Sequence, residues 1–392
     1  MPCFDIILNL PHFTIVKTSG YNPIVHDVFW HGTPRCLHCE SYHLRKKDRF
    51  ERVISHESVG LRKVLLRLSV YKYHCRDCDK YFRQRFEGIM PWQRGTEAHK
   101  KQVYHQHTQG ISRKDLSRNI GKSDSTVARW YDHVYDLENR KLLSLRLPTV
   151  LGIDEHSFAR RKRQYATTFC DLQRHRIFDV ALGKSGASLQ DYMDGLKGKN
   201  NVRVVCMDLS ETYRSIARKA FPQALIVADR FHVVRLALHH LLKTCQAIDP
   251  ELKWSRGVNR LLRKHEKNLR PWQAERLKNY LASQPAVAEI YRFKEQLMWV
   301  LLRKKQTKKQ CKKLIPKFLN MIKLLKNSGF ENCQKLGKTL DNWSEEIGRM
   351  WRFSKSNGIT EGFHRKMKLI QRRAFGFRNF ENYRRRVRVV CA

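Results

Sequence analysis

Thr149-Val-Leu-Gly-Ile-Asp-Glu-His156 is a short apolar run that ends in acids, and its reading decides the fold. A run of this length, rich in β-branched residues, is expected to be a buried strand. Tyr165–Leu172 and Arg176–Leu182 follow as two more β-rich runs. Val202-Arg-Val-Val-Cys-Met-Asp208 and Ala224-Leu-Ile-Val-Ala-Asp229 each stand next to a helix-like stretch. Three strands close together, then strand and helix in alternation, predict a mixed α/β sheet. From Phe231 to about Phe353 no strand pattern persists, and Lys, Leu and Trp recur at helical spacing. That stretch is read as all-helical.

The acids at the strand ends suggest chemistry. Lys+Arg number 78 against 36 Asp+Glu, so carboxylates placed at strand ends are informative. Asp154 closes one strand and Asp208 another. If those strands are adjacent, both side chains point at one spot on the sheet edge. Two acids there can hold two Mg²⁺ ions about 3.5–4 Å apart, the arrangement that serves phosphodiester cleavage. A third carboxylate is needed, and Glu361 is the best placed. Thr360-Glu-Gly-Phe-His-Arg-Lys-Met-Lys-Leu-Ile-Gln-Arg-Arg-Ala374 reads as a helix with Phe363, Met367, Ile370 and Ala374 as its apolar stripe. Glu361 falls with Arg365, Lys368 and Arg372, cations suited to phosphates. The plainer reading makes Glu361 and Arg365 an ordinary i,i+4 ion pair, and the two Asp strand-end or cap residues.

Charge and cysteine usage bound the rest. A formal net charge of +42 points to a polyanionic partner, nucleic acid first. Hydrophobic residues at 41% exclude a disordered basic tail. No apolar run approaches the roughly eighteen residues of a membrane span. Met1–Leu10 lacks a basic n-region and carries Asp5, so a signal peptide is not expected. Eleven Cys, with only four in CxxC pairs, fit a reducing cytoplasm with one metal site. Cys36-Leu-His-Cys39 and Cys75-Arg-Asp-Cys78 place two thiolates on each of two tight turns, as a tetrahedral zinc ribbon requires. His38 and His74 are the alternative ligands. Ile111–Ile120, Gly121 and a second helix from Ser123 form a helix-turn-helix pattern. Leu116, Ile120, Val127 and Trp130 are its buried residues, while Ser125, Thr126 and Arg129 face a DNA groove. An ordinary helical hairpin is the alternative. Trp254, Trp272, Trp299, Trp343 and Trp351 are either core or base-stacking residues. Pro91-Trp92-Gln93 recurs as Pro271-Trp272-Gln273, with unrelated surroundings.

Gly152-Ile-Asp-Glu-His156, the Asp208 segment, Ala228-Asp-Arg-Phe-His-Val233, Ser356-Asn-Gly-Ile-Thr-Glu-Gly362, Lys368 and Arg373-Ala-Phe-Gly-Phe-Arg-Asn379 together resemble DDE transposases of bacterial insertion sequences, in particular the L-three (ISL3) family. The resemblance runs nearly end to end, and its motifs are specific in combination. It implies a multidomain α/β protein: an RNase H-like mixed-sheet catalytic core interrupted by an all-helical insertion, preceded by a zinc ribbon and a helix-turn-helix. Residues 1–91 would be the zinc-binding domain, 92–147 the helix-turn-helix, 148–234 the first part of the core, 235–353 the insertion, and 354–392 the core's completion with a basic tail. Asp154, Asp208 and Glu361 would bind two Mg²⁺, or Mn²⁺ in their place, with structural Zn²⁺ on the four cysteines. Asp229-x-x-His232 looks like a D-x-x-H signature of related transposases, or else an N-cap Asp with a packed His. Glu155 would point to the opposite sheet face. The expected partners are double-stranded DNA, as transposon ends and target, and further copies of the chain as a homodimer or larger. No membrane is expected, and the location is cytoplasmic, bacterial and nucleoid-associated. The rivals are a non-catalytic zinc/helix-turn-helix regulator and an RNase H-like nuclease that never joins strands.

Overall fold

The computed structural model describes residues 8–143, 145–159, 164–353 and 358–392. Cys3 and the Ser356-Asn pair of the quoted motif lie outside the described residues. The chain folds as two compact units, Met1–Leu143 with Ile370–Phe377, and Ser144–Leu369 with Arg378–Ala392.

The first unit opens with strands β1 (Phe13–Ser19), β2 (Ile24–Trp30), β3 (Leu44–Val59), β4 (Arg62–Cys75) and β5 (Tyr81–Arg83). They make one mixed sheet in the order β1-β2-β4-β3, with β5 added on β4. Only β2 and β4 pair in parallel. Burial alternates along β4, so Val64, Leu66, Leu68 and Val70 pack with Phe13, Ile54 and Phe86 in the core. Helices α1 (Glu97–Thr108), α2 (Arg113–Ile120) and α3 (Asp124–Leu143) follow. Ser112 caps α2, which ends on Gly121 at φ 70°, a left-handed stop that favours glycine. Leu116, Val127 and Trp130 are buried between these helices, as the pattern predicts, and Ile120 is half-buried.

The second unit contains β6 (Val150–Ala159), β7 (Gln164–Asp171), β8 (Arg176–Leu182), α4 (Gly186–Gly195), β9 (Val204–Met207), α5 (Glu211–Ala220), β10 (Leu225–Ala228) and α6 (Arg230–Ile248). The sheet order is β10-β9-β6-β7-β8, with β10, β9 and β6 parallel and β6, β7 and β8 antiparallel. Odd positions Leu151, Ile153, Val205 and Met207 share a core with Leu189 and Met193 of α4 and Tyr213 and Ala217 of α5. Even positions therefore face the other side.

Beyond α6 come α7 (Arg256–Arg263), α8 (Pro271–Ser283), α9 (Pro285–Leu301), α10 (Lys308–Lys326), α11 (Glu331–Asn342) and α12 (Ser344–Met350). No strand occurs among the described residues of this stretch. Its core joins Leu297, Phe318, Leu336, Trp343, Ile347 and Trp351 to Val233 and Ala237 of α6. Trp343 and Trp351 are fully buried and so take the core alternative of the two; Trp254, Trp272 and Trp299 are exposed. Arg230, at the start of α6, donates to the carbonyls of Leu301, Arg303 and Met350 and so ties the ends of α9 and α12 to α6. Helices α13 (Gly358–Arg373) and α14 (Phe380–Val390) complete the chain. No helix of the described residues is long and apolar enough to cross a membrane.

Candidate active site and metal centre

Cys36 and Cys39 lie on the loop before β3, while Cys75 ends β4 and Cys78 stands in the turn to β5. The Sγ atoms of Cys36 and Cys78 are 3.5 Å apart, as are those of Cys39 and Cys75, and all four lie within 4.8 Å of one another. Thiolates about 2.3 Å from one tetrahedral zinc stand about 3.8 Å apart, so this donor set fits a structural Zn²⁺. The two turns fold alike. Cys36 N donates to Ser41 O at 2.8 Å, and Cys75 N donates to Lys80 O at 3.0 Å. Glu40 and Asp79, each following the second Cys of its pair, take left-handed φ values of 60° and 53°. His74 pairs with Asp79 at 2.5 Å and His38 is absent from the cluster, so neither alternative ligand is drawn in. Among the described residues, no other group of three or more His, Cys, Asp or Glu converges this tightly.

The acids sit in the second unit. The β6–β9 register pairs Gly152 with Cys206 and Ile153 with Met207. One further step sets Asp154 level with Asp208, just beyond β9. The β9–β10 register pairs Met207 with Ala228, which sets Asp229 beside Asp208 in turn. Asp208 and Asp229 follow the carboxyl ends of β9 and β10. Asp154 instead lies within β6, which runs on to Ala159 and so corrects the expectation that Asp154 closes its strand. The three carboxylates stand side by side across neighbouring parallel strands, on the face away from α4 and α5. Burial raises Asp154 to about 7, helped by the charges of Asp208, Asp229 and Glu155. Burial also raises Asp208, with Glu155 and Asp229 adding to it and His232 opposing. Asp208 Oδ1 is buried with no hydrogen-bond partner among the described residues. An orphaned carboxylate oxygen among like charges is a place a divalent cation fits. Asp229 caps α6, accepting from Phe231 N at 3.4 Å, and lies 3.7 Å from His232. Glu155 is turned to Lys184 at 3.3 Å.

Helix α13 brings Glu361 in its first turn. Glu361 is half-exposed and paired with Arg365 at 3.4 Å, and its carboxylate does not converge with those of Asp154 and Asp208 at the spacing the cysteines reach. Arg365, Lys368 and Arg372 are exposed along α13, and Met367 is buried. Sequence reasoning missed His364, one turn on from Glu361. Its Nδ1 lies 3.9 Å from Asp154 Oδ2 and its Nε2 lies 3.2 Å from Thr168 Oγ1, so it brings α13 against β6 and β7 beside Asp154. Burial holds His364 down at about 4 and His156 at about 3, so both are neutral near pH 7. His156 bonds to Tyr383 Oη of α14 at 2.8 Å. The Glu-x-x-His spacing at 361–364, which puts both on one helix face, was the available signal. In the first unit, Ser123 Oγ accepts from Thr126 N at 3.3 Å and so caps α3. Ser125 and Arg129 are exposed there, while Thr126 is half-buried and accepts from Arg129 at 3.3 Å.

A family model described as a transposase matches residues 151–387. A second, described as the zinc-finger of transposase IS204/IS1001/IS1096/IS1165, matches residues 32–78. The transposase for insertion sequence element IS1001 of Bordetella parapertussis is 22% identical over 252 residues, 61% of this chain and 60% of that protein. The transposase for insertion sequence element IS1557 of Mycobacterium tuberculosis is 26% identical over 259 residues, 58% of this chain and 57% of its own length. The matched stretch thus spans about three fifths of each relative's length.

Proposed function

From the premise that this chain belongs to the ISL3 family of insertion-sequence transposases, we propose that it binds the terminal inverted repeats of an insertion sequence and cuts and joins DNA there. The observation that carries this reading is the row of Asp154, Asp208 and Asp229 across three adjacent parallel strands, with α13, which carries Glu361, brought against Asp154 by His364. A sheet of three antiparallel strands extended by two parallel ones supports an RNase H-like core. We read residues 148–234 and 354–392 as its two parts and 235–353 as an insertion. Residues 1–91 are read as the zinc-binding domain and 92–147 as a helix-turn-helix.

Asp154 and Asp208, with Glu361 as the third carboxylate, would hold divalent magnesium or manganese. Such ions, when bound, lower the pKa of water and stabilise the leaving oxygen of a phosphodiester. The chain's own residues do the placing. Asp229 caps α6 and keeps the strand ends in register, with His232 beside it. His364 positions α13 against Asp154. Arg365, Lys368 and Arg372 offer an exposed cationic face to phosphates, and Ser125, Thr126 and Arg129 stand at the start of α3, where a recognition helix meets base edges. The product of the first cut is a 3′-OH, which attacks target DNA in a transesterification that conserves bond number. Two ends must be joined, so a homodimer or larger assembly forms on DNA, in the bacterial nucleoid.

The test is cleavage and strand transfer with Mg²⁺ on DNA carrying the element's own ends. Asp154→Ala, Asp208→Asn and Glu361→Gln are expected to fall to background in both. If all three cut normally, the triad assignment is wrong. Nicking without a joined product would instead identify a nuclease.

A further inference from the structure

The repeated tripeptide takes two different structures. Pro271-Trp272-Gln273 starts α8, whereas Pro91-Trp92-Gln93 lies in a loop with Trp92 at a left-handed φ of 63°. Arg52 donates to Gln93 O at 2.7 Å and pins that loop. Trp92 is 78% exposed and Tyr81 54%. Both border a groove of about 870 Å³ in the first unit, formed by the sheet, the first zinc turn and the 91–94 loop.

Arg52, Lys72, Arg83, Arg85 and Arg94 line this groove, and no acid does among the described residues. Rings interleave with the cations. The Arg83 guanidinium lies 4.6 Å from the Trp92 ring and 5.1 Å from that of Phe50, and Lys72 Nζ lies 5.2 Å from Tyr81. The His74 ring stacks on one face of Tyr81 at 4.5 Å. A duplex, which presents phosphates on a convex surface and keeps its bases stacked inside, would leave the other face of Tyr81 and the Trp92 ring unused. An unpaired strand supplies both complements at once, phosphates for the cations and base faces for the rings.

We propose that this groove binds a short run of unpaired DNA, its bases stacked on Trp92 and Tyr81 and its phosphates against Lys72, Arg83 and Arg85. The choice of DNA rests on the transposase reading, since cutting and joining ends exposes unpaired strands.

The test uses the full, zinc-loaded chain without added Mg²⁺. Fluorescence anisotropy follows a labelled short oligothymidylate, an oligouridylate of the same length, and a duplex of that length. Trp92→Ala and Tyr81→Ala are each expected to weaken oligothymidylate binding about fivefold or more, the effect of one lost base stack, and to leave the duplex within about twofold. Trp92→Phe is expected to recover most of the loss. Zinc content and circular dichroism of each variant are measured alongside, and the Tyr81 variant carries the test if the Trp92 variant does not fold. Wild-type binding by both Ala variants overturns the site, and so does a parallel fall in duplex affinity, which marks a backbone-only surface. Preference for the oligouridylate overturns the assignment to DNA. Neither the Asp154 carboxylates nor Mg²⁺ enters this measurement, so failure of the groove and failure of the Asp154 triad give separate results.

Discussion

Asp179 shows how a single residue can anchor an element that the sequence leaves unplaced. It is buried on β8, and Arg384 of α14 grips it through two bonds of 2.9 and 2.7 Å, with Arg388 Nε at 3.6 Å. Removing one partner of a buried pair strands the other's charge, which costs about 3–5 kcal/mol. Asp179→Ala is therefore expected to lower the stability of the second unit by that order in a denaturant titration, because two guanidiniums lose their counter-charge. A loss below about 1 kcal/mol would show that water already serves Arg384 and that the pair is surface-like. Nothing local marks Asp179 in the sequence, since its partner Arg384 lies some two hundred residues away in the chain. The cysteines are the opposite case. Their spacing alone encodes the knuckle, so Cys36, Cys39, Cys75 and Cys78 were legible. Asp208 was legible as a strand-end acid, Asp154 was wrongly read as one because β6 runs on to Ala159, and their adjacency awaited the β6–β9 pairing.

At the scale of elements, α1 is fixed by a buried polar contact that couples it to the sheet. Thr96 caps the helix, accepting from His99 N at 3.1 Å, and its hydroxyl lies 2.9 Å from His56 Nδ1 of β3. Burial holds both His56 and His99 at about 4, below their ordinary 6.5. Between those values the unfolded chain binds the protons that the folded one refuses. The contribution is thus whole above pH 6.5 and is lost as the pH falls towards 4. At pH 5.5 each histidine is expected to cost on the order of 1 kcal/mol. His99→Phe, which keeps a ring edge-on to Trp130 but cannot be protonated, should flatten the pH dependence of first-unit melting. An unchanged slope would assign the acid sensitivity elsewhere. The β3 half of the long hairpin was not legible. Leu44-Arg-Lys-Lys-Asp-Arg-Phe-Glu-Arg52 is mostly charged because that part of β3 faces solvent, and a strand with so little apolar alternation gives no period to read. The two Pro-Trp-Gln copies make the same point, because three residues start a helix in one context and a loop in the other.

Across the whole molecule, the two units carry separate hydrophobic cores, which has a thermodynamic consequence. The first unit's main core gathers around Leu66, Leu68 and Phe13, with a small cluster of Tyr73 and Phe82 against Cys36 and Cys75 at its zinc end. The second unit's cores gather around Leu151 and Val205 and around Phe318 and Leu336. A structural zinc site contributes about 10–16 kcal/mol of apparent binding free energy, as much as the whole stability of an ordinary domain. Its loss therefore removes what the small Tyr73–Phe82 cluster cannot replace. Calorimetry of the zinc-loaded chain is expected to show two transitions, and a chelator should lower the midpoint of only one of them. Cys75→Ser should give the same one-sided fall without chelator, together with the loss of about one zinc per chain. Residues 370–377 are the sensitive part of this expectation, because they belong to the first unit while α13 continues from the second. If both midpoints move together, α13 transmits the loss and the molecule melts as one cooperative body. If neither moves, the four cysteines do not hold the ion on which the first unit depends.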